Sequence, residues 1–320
     1  MRNSLARLIV LASLMASLPG CEPAARSTRR LVIGLVVGAP PSSSGELFAQ
    51  QIIAGATAEA VAHGATLVAL TPPSADAATQ IALVRQLGAQ SVDAIIIDPM
   101  DPTLLAPPLS ELDALGIPVL TVHRVIGDGA YGSGSPDDFP RTHVGSNDHD
   151  GGRIACDLLA AHTNATGHVY AQTPNPDDER LRGCREVLAE KYPAMQIVAT
   201  DVTGRNVETA TVDVQAALTA DPSISAVLCT DVQSGLGVAA AGLSGVHVVS
   251  FDPSKETLAR LQTVAIDQSL AQKPQSMGSL AVQFALAAIA KKTLPTLIDT
   301  GFVVLDNANA GHPEMAAYVY

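Results

Sequence analysis

The sequence predicts an α/β protein of two lobes, each a doubly wound parallel sheet with helices on both faces. Three observations carry this. Short continuous apolar runs rich in β-branched residues, such as Leu31–Val37, Val92–Ile97 and Ile117–Val122, have the character of strands buried on both sides. They alternate along the chain with stretches whose apolar residues recur at helical spacing, the signature of βαβ units. There are about ten such strand runs, too many for one doubly wound sheet in a chain of 320 residues, so the pattern divides into two near residue 146. Apolar residues make up 47% of the chain, aromatics 3%, and Trp is absent, which predicts a core of Val, Ile, Leu and Ala.

The first residues read as a processing signal over 1–20. Arg2 and Arg7 precede the apolar run Leu8–Ala16, which is too short to span a bilayer. Ser17-Leu-Pro-Gly-Cys21 resembles a bacterial lipobox, which implies cleavage before Cys21, its lipidation, and a polar tether over 21–30. The membrane contact expected is through that lipid anchor only. A formal charge of −12 excludes a nucleic-acid partner, which requires clustered Lys and Arg. Of the remaining cysteines, Cys156 and Cys184 fall on neighbouring predicted helices. Oxidation would join them, but all three, with Cys229, are read as buried free thiols. No Cys-x-x-Cys occurs, and neither a metal nor a cofactor is expected.

In the first half, strand Leu31–Val37 leads through a Pro/Ser loop to a helix over Leu47–His63, ended by Gly64. Ala65–Leu70 is a strand, Asp76–Leu87 a helix, Val92–Ile97 a strand, Pro107–Leu115 a helix, and Ile117–Val122 a strand. This last run ends in His123 and Arg124, and ligands in open α/β sheets bind beyond the carboxyl ends of strands. The Gly-rich segment from Gly127 to Pro140 has no phosphate-loop pattern and reads as a surface insertion, with Tyr131 and Phe139 in reach of a cleft.

The second half repeats the alternation. Helices are expected over Asp150–His162, Asp178–Glu190, Asn206–Leu218, Val232–Leu243, Ser254–Leu261 and Gln275–Lys291. Strands are expected over His168–Ala171, Met195–Val202, Ile224–Cys229, Val246–Phe251, Thr263–Asp267 and Phe302–Leu305. Asn147 or Asp148 caps the first of these helices. Asp177 and Asp178 read as a solvated loop.

Several segments, in order, resemble the ribose/galactose type of periplasmic sugar-binding protein. Val144-Gly-Ser-Asn-Asp148 with Gly151-Gly152 resembles its I-x-S-D-N-x-x-G-G segment, and Arg182-Gly183 its Arg-Gly pair. Val249-Ser-Phe-Asp252 resembles V-G-F-D, Gln272-Lys-Pro-Gln-Ser-Met-Gly278 resembles Q-x-P-x-x-x-G, and Asp299-Thr-Gly-Phe-Val-Val304 resembles D-T-G-V-x-V. The resemblance implies the type I fold of ABC-transporter solute receptors: two lobes joined by a three-crossover hinge and closing over a sugar. It implies an N-terminal lobe of 31–146 plus 272–300 and a C-terminal lobe of 147–271 plus 301–320. The ligand set it implies is Phe48, Arg124, Arg182, Asp252 and Gln272. Asp231 and His123 depart from the residue types usual at their positions, and Ala49 stands where a second stacking aromatic is usual, so ribose itself is not expected to be the best ligand.

The chemistry of these residues agrees with a hydroxylated guest. Carboxylates accept from hydroxyls, guanidinium donates in a planar fork, and an aromatic ring covers C–H faces. Capping the helices that begin at Val232 and Ser254 accounts for Asp231 or Asp252 separately. It leaves Arg124 unexplained, and ligand contact is the reading adopted for all three, with His123 beside them.

The function expected is a monomeric, extracytoplasmic receptor that delivers a sugar or related polyol to an ABC permease. The alternative is a receptor that presents its bound form to a transmembrane sensor kinase. A transcriptional regulator with the same core would need a basic DNA-binding segment before Leu31. An enzyme is not expected, since no Gly-x-Ser-x-Gly or His-Glu-x-x-His is present.

Overall fold

A computed structural model describes residues 29–43, 45–134 and 137–320; the segment read as a processing signal and Cys21 lie outside the described residues. Lobe 1 is built on a six-stranded sheet. Its strands are β1 (Val32–Val36), β2 (Thr66–Leu70), β3 (Ala94–Ile97), β4 (Val119–Val122), β5 (His143–Gly145) and a late arrival, β11 (Leu297–Asp299). They lie in the order β11-β5-β4-β3-β1-β2, all parallel. Lobe 2 has the sheet of β6 (Gly167–Thr173), β7 (Met195–Val202), β8 (Ile224–Cys229), β9 (His247–Phe251), β10 (Gln268–Ala271) and β12 (Val303–Asp306). Its order is β12-β10-β9-β8-β6-β7, parallel except for the antiparallel edge strand β12.

Helices cover both faces of each sheet, as buried parallel strands require. In lobe 1, α1 (Glu46–Ala62) and α9 (Pro274–Ile289) share one apolar cluster with the sheet. Helices α2 (Ala77–Ala89) and α3 (Ala106–Ala114) share the other. In lobe 2, α4 (Asp148–His162) and α5 (Glu179–Lys191) cover one face. The opposite face carries α6 (Val207–Ala220), α7 (Val232–Ala240) and α8 (Lys255–Gln262). The chain passes between the sheets after β5, after β10 and after β11, which is the three-crossover hinge of the type I fold.

The two equivalent helix pairs are packed backbone against backbone. A Cβ at Gly55 would lie 1.9 Å from Gln275 O, and one at Gly278 2.0 Å from Ile52 O, so α1 and α9 touch through glycine. A Cβ at Gly152 would lie 1.8 Å from Arg180 O, and one at Gly183 1.9 Å from His149 O, so α4 and α5 do the same. This close approach overturns the expectation of free thiols: Cys156 and Cys184 are joined in a disulfide between α4 and α5, with Cα atoms 5.2 Å apart. Cys229 is buried and free.

Three other expectations are corrected. The strand expected over Thr263–Asp267 is a turn, and the strand is β10, which begins at Gln268. Val264 has φ +58°, and its amide bonds Leu261 O as α8 unwinds, so the β-branched residues there serve a helix stop. The strands β5 and β11 have three residues each, too few for an alternation or an apolar run to register. None of the described residues of the Gly127–Pro140 insertion lines the cleft. Tyr131 is 7% exposed and turns inward, its hydroxyl accepting from Ile126 N at 2.8 Å, and Phe139 packs on the lobe 1 cluster.

Two predictions follow from this packing. Gly183→Ala forces the α4–α5 backbones apart and should destabilise the protein by about 3 kcal/mol in chemical denaturation, the upper range for overpacking. His143, on β5, is 7% exposed with Nδ1 3.0 Å from Thr121 Oγ1. Burial first, and then the positive charge of His123, lowers its pKa from 6.5 to about 4. The unfolded chain therefore binds the proton that the fold excludes, and stability rises with pH between those values. At pH 5 this penalty is about 2 kcal/mol. His143→Gln should flatten the dependence of the unfolding free energy between pH 7 and pH 5.

Candidate functional site

The carboxyl ends of both sheets open on one cleft of about 580 Å³. A second hollow, of about 640 Å³, lies at the amino ends of β3 and β4, lined by Asp93, Ile117, Arg141, Lys291 and Lys292. The strand-end rule assigns the ligand to the first.

On the lobe 1 side the centre is Asp98, which directly follows β3 and is 2% exposed. Arg124 forks onto it, with Nε 2.8 Å from Oδ1 and Nη2 3.1 Å from Oδ2. His123 Nδ1 lies 3.2 Å from Oδ1, and Gly38 N donates to Oδ2 at 3.1 Å. Burial pushes the Asp98 carboxyl up, but the charges of Arg124 and His123 outweigh it and hold the group well below the usual carboxylate range. Gly38 has no room for a side chain: its Cβ would lie 1.9 Å from Arg124 Nη2. Fully buried Gln80 fixes the loop ends, donating to Val37 O and Asp98 O.

On the lobe 2 side the centre is Arg180, 8% exposed. Its Nε donates to Asp148 Oδ1 at 2.8 Å, and its Nη1 to Asp252 Oδ2 at 2.6 Å and Thr230 O at 2.8 Å. The guanidinium lies 4.4 Å over the ring of Phe251, a cation–π contact. Asp252 also accepts from Gln272 Nε2 at 3.1 Å. Burial raises its pKa, but Arg180 more than compensates and the net shift is downward.

Arg180 stands where Arg182 was expected. Arg182 is exposed and does not line the cleft; it pairs with Glu179 at the cleft margin. The phase of α5 decides this: Arg180, Leu181, Gly183, Cys184, Val187 and Leu188 are its buried residues, and Arg182 falls off that face. The signal that separates the two arginines is the helical period of these buried positions, which includes Arg180 and leaves out Arg182.

The other expected residues line this cleft: Phe48, His123, Arg124, Asp231, Asp252 and Gln272. Asp177 and Asp178 line it as well, rather than solvating a loop, and Asp178 caps α5 through Leu181 N at 3.1 Å. Asp231, 6% exposed, is both cap and open acceptor. Its Oδ1 caps α7 at Ser234 N, 2.7 Å away, while Oδ2 is buried without a hydrogen-bond partner. An unmet buried acceptor is costly, and Asp231 is among the residues that line the cleft. Asp252 is not a cap; Ser254 caps α8 instead.

Two residues adopt left-handed backbone at equivalent places. His123 follows β4 with φ +63°, and Asp252 follows β9 with φ +57°. This conformation is uncommon outside glycine and concentrates at functional sites. The Phe48 ring, 8% exposed, lies 4.4 Å from His123 between ring centroids. The assembly thus offers acceptors, a planar donor and an apolar ring to a single small guest. Asp98 and Arg180 complete it; neither was on the expected list of contacts.

The chain matches the periplasmic binding protein domain over residues 36–293. It is 26% identical over 217 residues to the ribose import binding protein of Bacillus subtilis, across 66% of this chain and 67% of that one. An ABC transporter solute-binding protein of Agrobacterium vitis, solved with alpha-D-tagatopyranose, superposes with a TM-score of 0.77 at 31% identity, covering 91% of this chain and 99% of that one. A carbohydrate transporter solute-binding protein of Agrobacterium radiobacter, in complex with D-arabinose, gives a TM-score of 0.72 at 26% identity over 92% of this chain and 100% of that one. With the fold, the crossovers and these likenesses together, the chain belongs to the periplasmic binding protein family and, within it, to the ribose/galactose type.

Proposed function

We propose that this protein captures a monosaccharide or related polyol between its lobes and presents the closed form to an ABC permease. The observation that carries the reading is the pair of facing clusters, Asp98 with Arg124 and Asp252 with Arg180, at the rims of one cleft. Monosaccharides in the solved relatives from Agrobacterium support the ligand class. The ligand contacts are Phe48, His123, Arg124, Arg180, Asp231, Asp252 and Gln272. The moving bodies are 31–146 with 272–300 and 147–271 with 301–320, and ligand binding shifts an open–closed equilibrium between them. The protein works as an extracytoplasmic monomer held to the membrane by a lipid on Cys21.

The charge of the lining narrows the class further. Asp98, Asp148, Asp177, Asp178, Glu179, Asp231 and Asp252 line the cleft, against the guanidiniums of Arg124, Arg180 and Arg205. An anionic guest such as a uronate or sugar phosphate meets a surplus of carboxylates, whereas a neutral polyol donates to them.

A thermal-shift screen of neutral pentoses, hexoses, polyols and their acidic derivatives tests this. Neutral members should raise the melting temperature and acidic ones should not. Arg124→Lys, which keeps the charge but loses the fork, and Asp252→Asn should each weaken binding at least tenfold, by titration calorimetry. Arg182→Ala should bind within twofold of the unaltered protein. A response only to acidic sugars, or full affinity in Asp252→Asn, overturns the proposal.

A further inference from the structure

The segment after β12 delivers one more side chain to the cleft. The turn Pro313–Tyr318 belongs to lobe 2, where Met315, Tyr318 and Val319 pack on the cluster under α7 and α8. Tyr320 then leaves that cluster and crosses the gap. Its amide donates to Pro253 O at 3.1 Å, beside Asp252. Its hydroxyl accepts from Gln272 N at 2.8 Å and donates to Asp252 Oδ1 at 3.2 Å. Its ring meets Phe48 edge to face, with centroids 4.8 Å apart and planes at 81°. Gln51 of α1 reinforces the crossing by donating from Nε2 to Val319 O at 3.0 Å.

Tyr320 therefore touches the aromatic ring that lobe 1 offers, and the carboxylate and hinge-side strand end that lobe 2 offers, while lining the same cleft. Burial first, and then the negative charge of Asp252, raise the phenol far above its ordinary range, so it stays a protonated donor. A phenol of this kind supplies both things a sugar site uses, an apolar face and a fixed hydrogen bond. Its bond to Asp252 Oδ1 also sets which lone pairs of that carboxylate remain for a guest.

We propose that Tyr320 is a ligand-binding residue of this site: its ring extends the apolar wall begun by Phe48, and its hydroxyl orients Asp252 and Gln272 toward the hydroxyls of the bound sugar. This rests on the sugar reading above and adds a contact from a part of the chain remote from every other member of the site.

The chain has five tyrosines and no Trp, so no indole band overlies the long-wavelength tyrosine bands of its near-ultraviolet spectrum. The test takes the neutral sugar that stabilises the unaltered protein most. It measures affinity by calorimetry and the ligand-induced tyrosine difference spectrum for the unaltered protein, Tyr320→Phe, Tyr320→Ala and Asp252→Asn. The expected result is a clear difference spectrum in the unaltered protein. Tyr320→Phe keeps the ring, loses the tyrosine signature and binds about fivefold more weakly. Tyr320→Ala binds at least twentyfold more weakly. If Tyr320→Ala does not fold, Tyr320→Phe alone decides. Wild-type affinity, within twofold, together with an intact difference spectrum in Tyr320→Phe overturns the assignment. So does wild-type affinity in Tyr320→Ala. When Asp252→Asn still loses binding in those cases, the sugar reading stands and only Tyr320 falls. If no neutral sugar stabilises the unaltered protein, the sugar reading fails and the assignment fails with it.

Discussion

Each lobe neutralises its own buried charge, and this constraint underlies the rest of the site. Asp98 is almost fully buried, as is Arg180, and an ion taken out of water costs several kcal/mol unless it is paired and hydrogen-bonded. Both pairs are made within a lobe: Asp98 with Arg124 at the ends of β3 and β4, and Arg180 with Asp148 and Asp252 on α4, α5 and β9. The lobes can therefore part without leaving either carboxylate unpaired. The groups are held in their charged forms, so under the proposed sugar reading a guest meets a preformed set of donors and acceptors whose ordering cost is already met by the fold.

Much of the fold is legible in the sequence because its signals are local. The apolar β-branched run Ala94–Ile97 is a buried strand, and Asp98 at its end lies at the cleft. The site is legible where a strand end carries it: His123 and Asp252 follow strands directly, and Arg124 and Asp231 come one residue later. Legibility fails where the deciding contact is remote. Arg180 differs from Arg182 only in which face of α5 meets α4, and that face is set by Gly152 and Gly183 in mutual contact across two helices. The same approach brings Cys156 to Cys184, a pairing that spacing leaves open. Tyr320 reaches Phe48 from the far end of the chain, and no periodicity connects them.

The two lobes solve one problem twice. In each, a residue of left-handed backbone follows the strand that ends at the cleft, His123 after β4 and Asp252 after β9. In each, a carboxylate bonds a guanidinium in that position's neighbourhood, and an aromatic ring lies against one member: Phe48 on His123, Phe251 under Arg180. Local backbone strain, burial of charge and an unmet acceptor on Asp231 coincide at the cleft. Departures from the ordinary rules of backbone and burial are expected to gather where a protein works.

The glycine contacts between helices have a consequence for biosynthesis. In lobe 2 the partners α4 and α5 are neighbours along the chain, so that core assembles from nearby segments as they emerge. In lobe 1, Gly55 must wait for Gly278, and α1 has an uncovered apolar flank until α9 has been translated. Contacts so distant in sequence close slowly. Lobe 1 is thus begun first, yet its α1 flank stays uncovered until most of lobe 2 has been made, and through that interval it is open to chaperones and proteases.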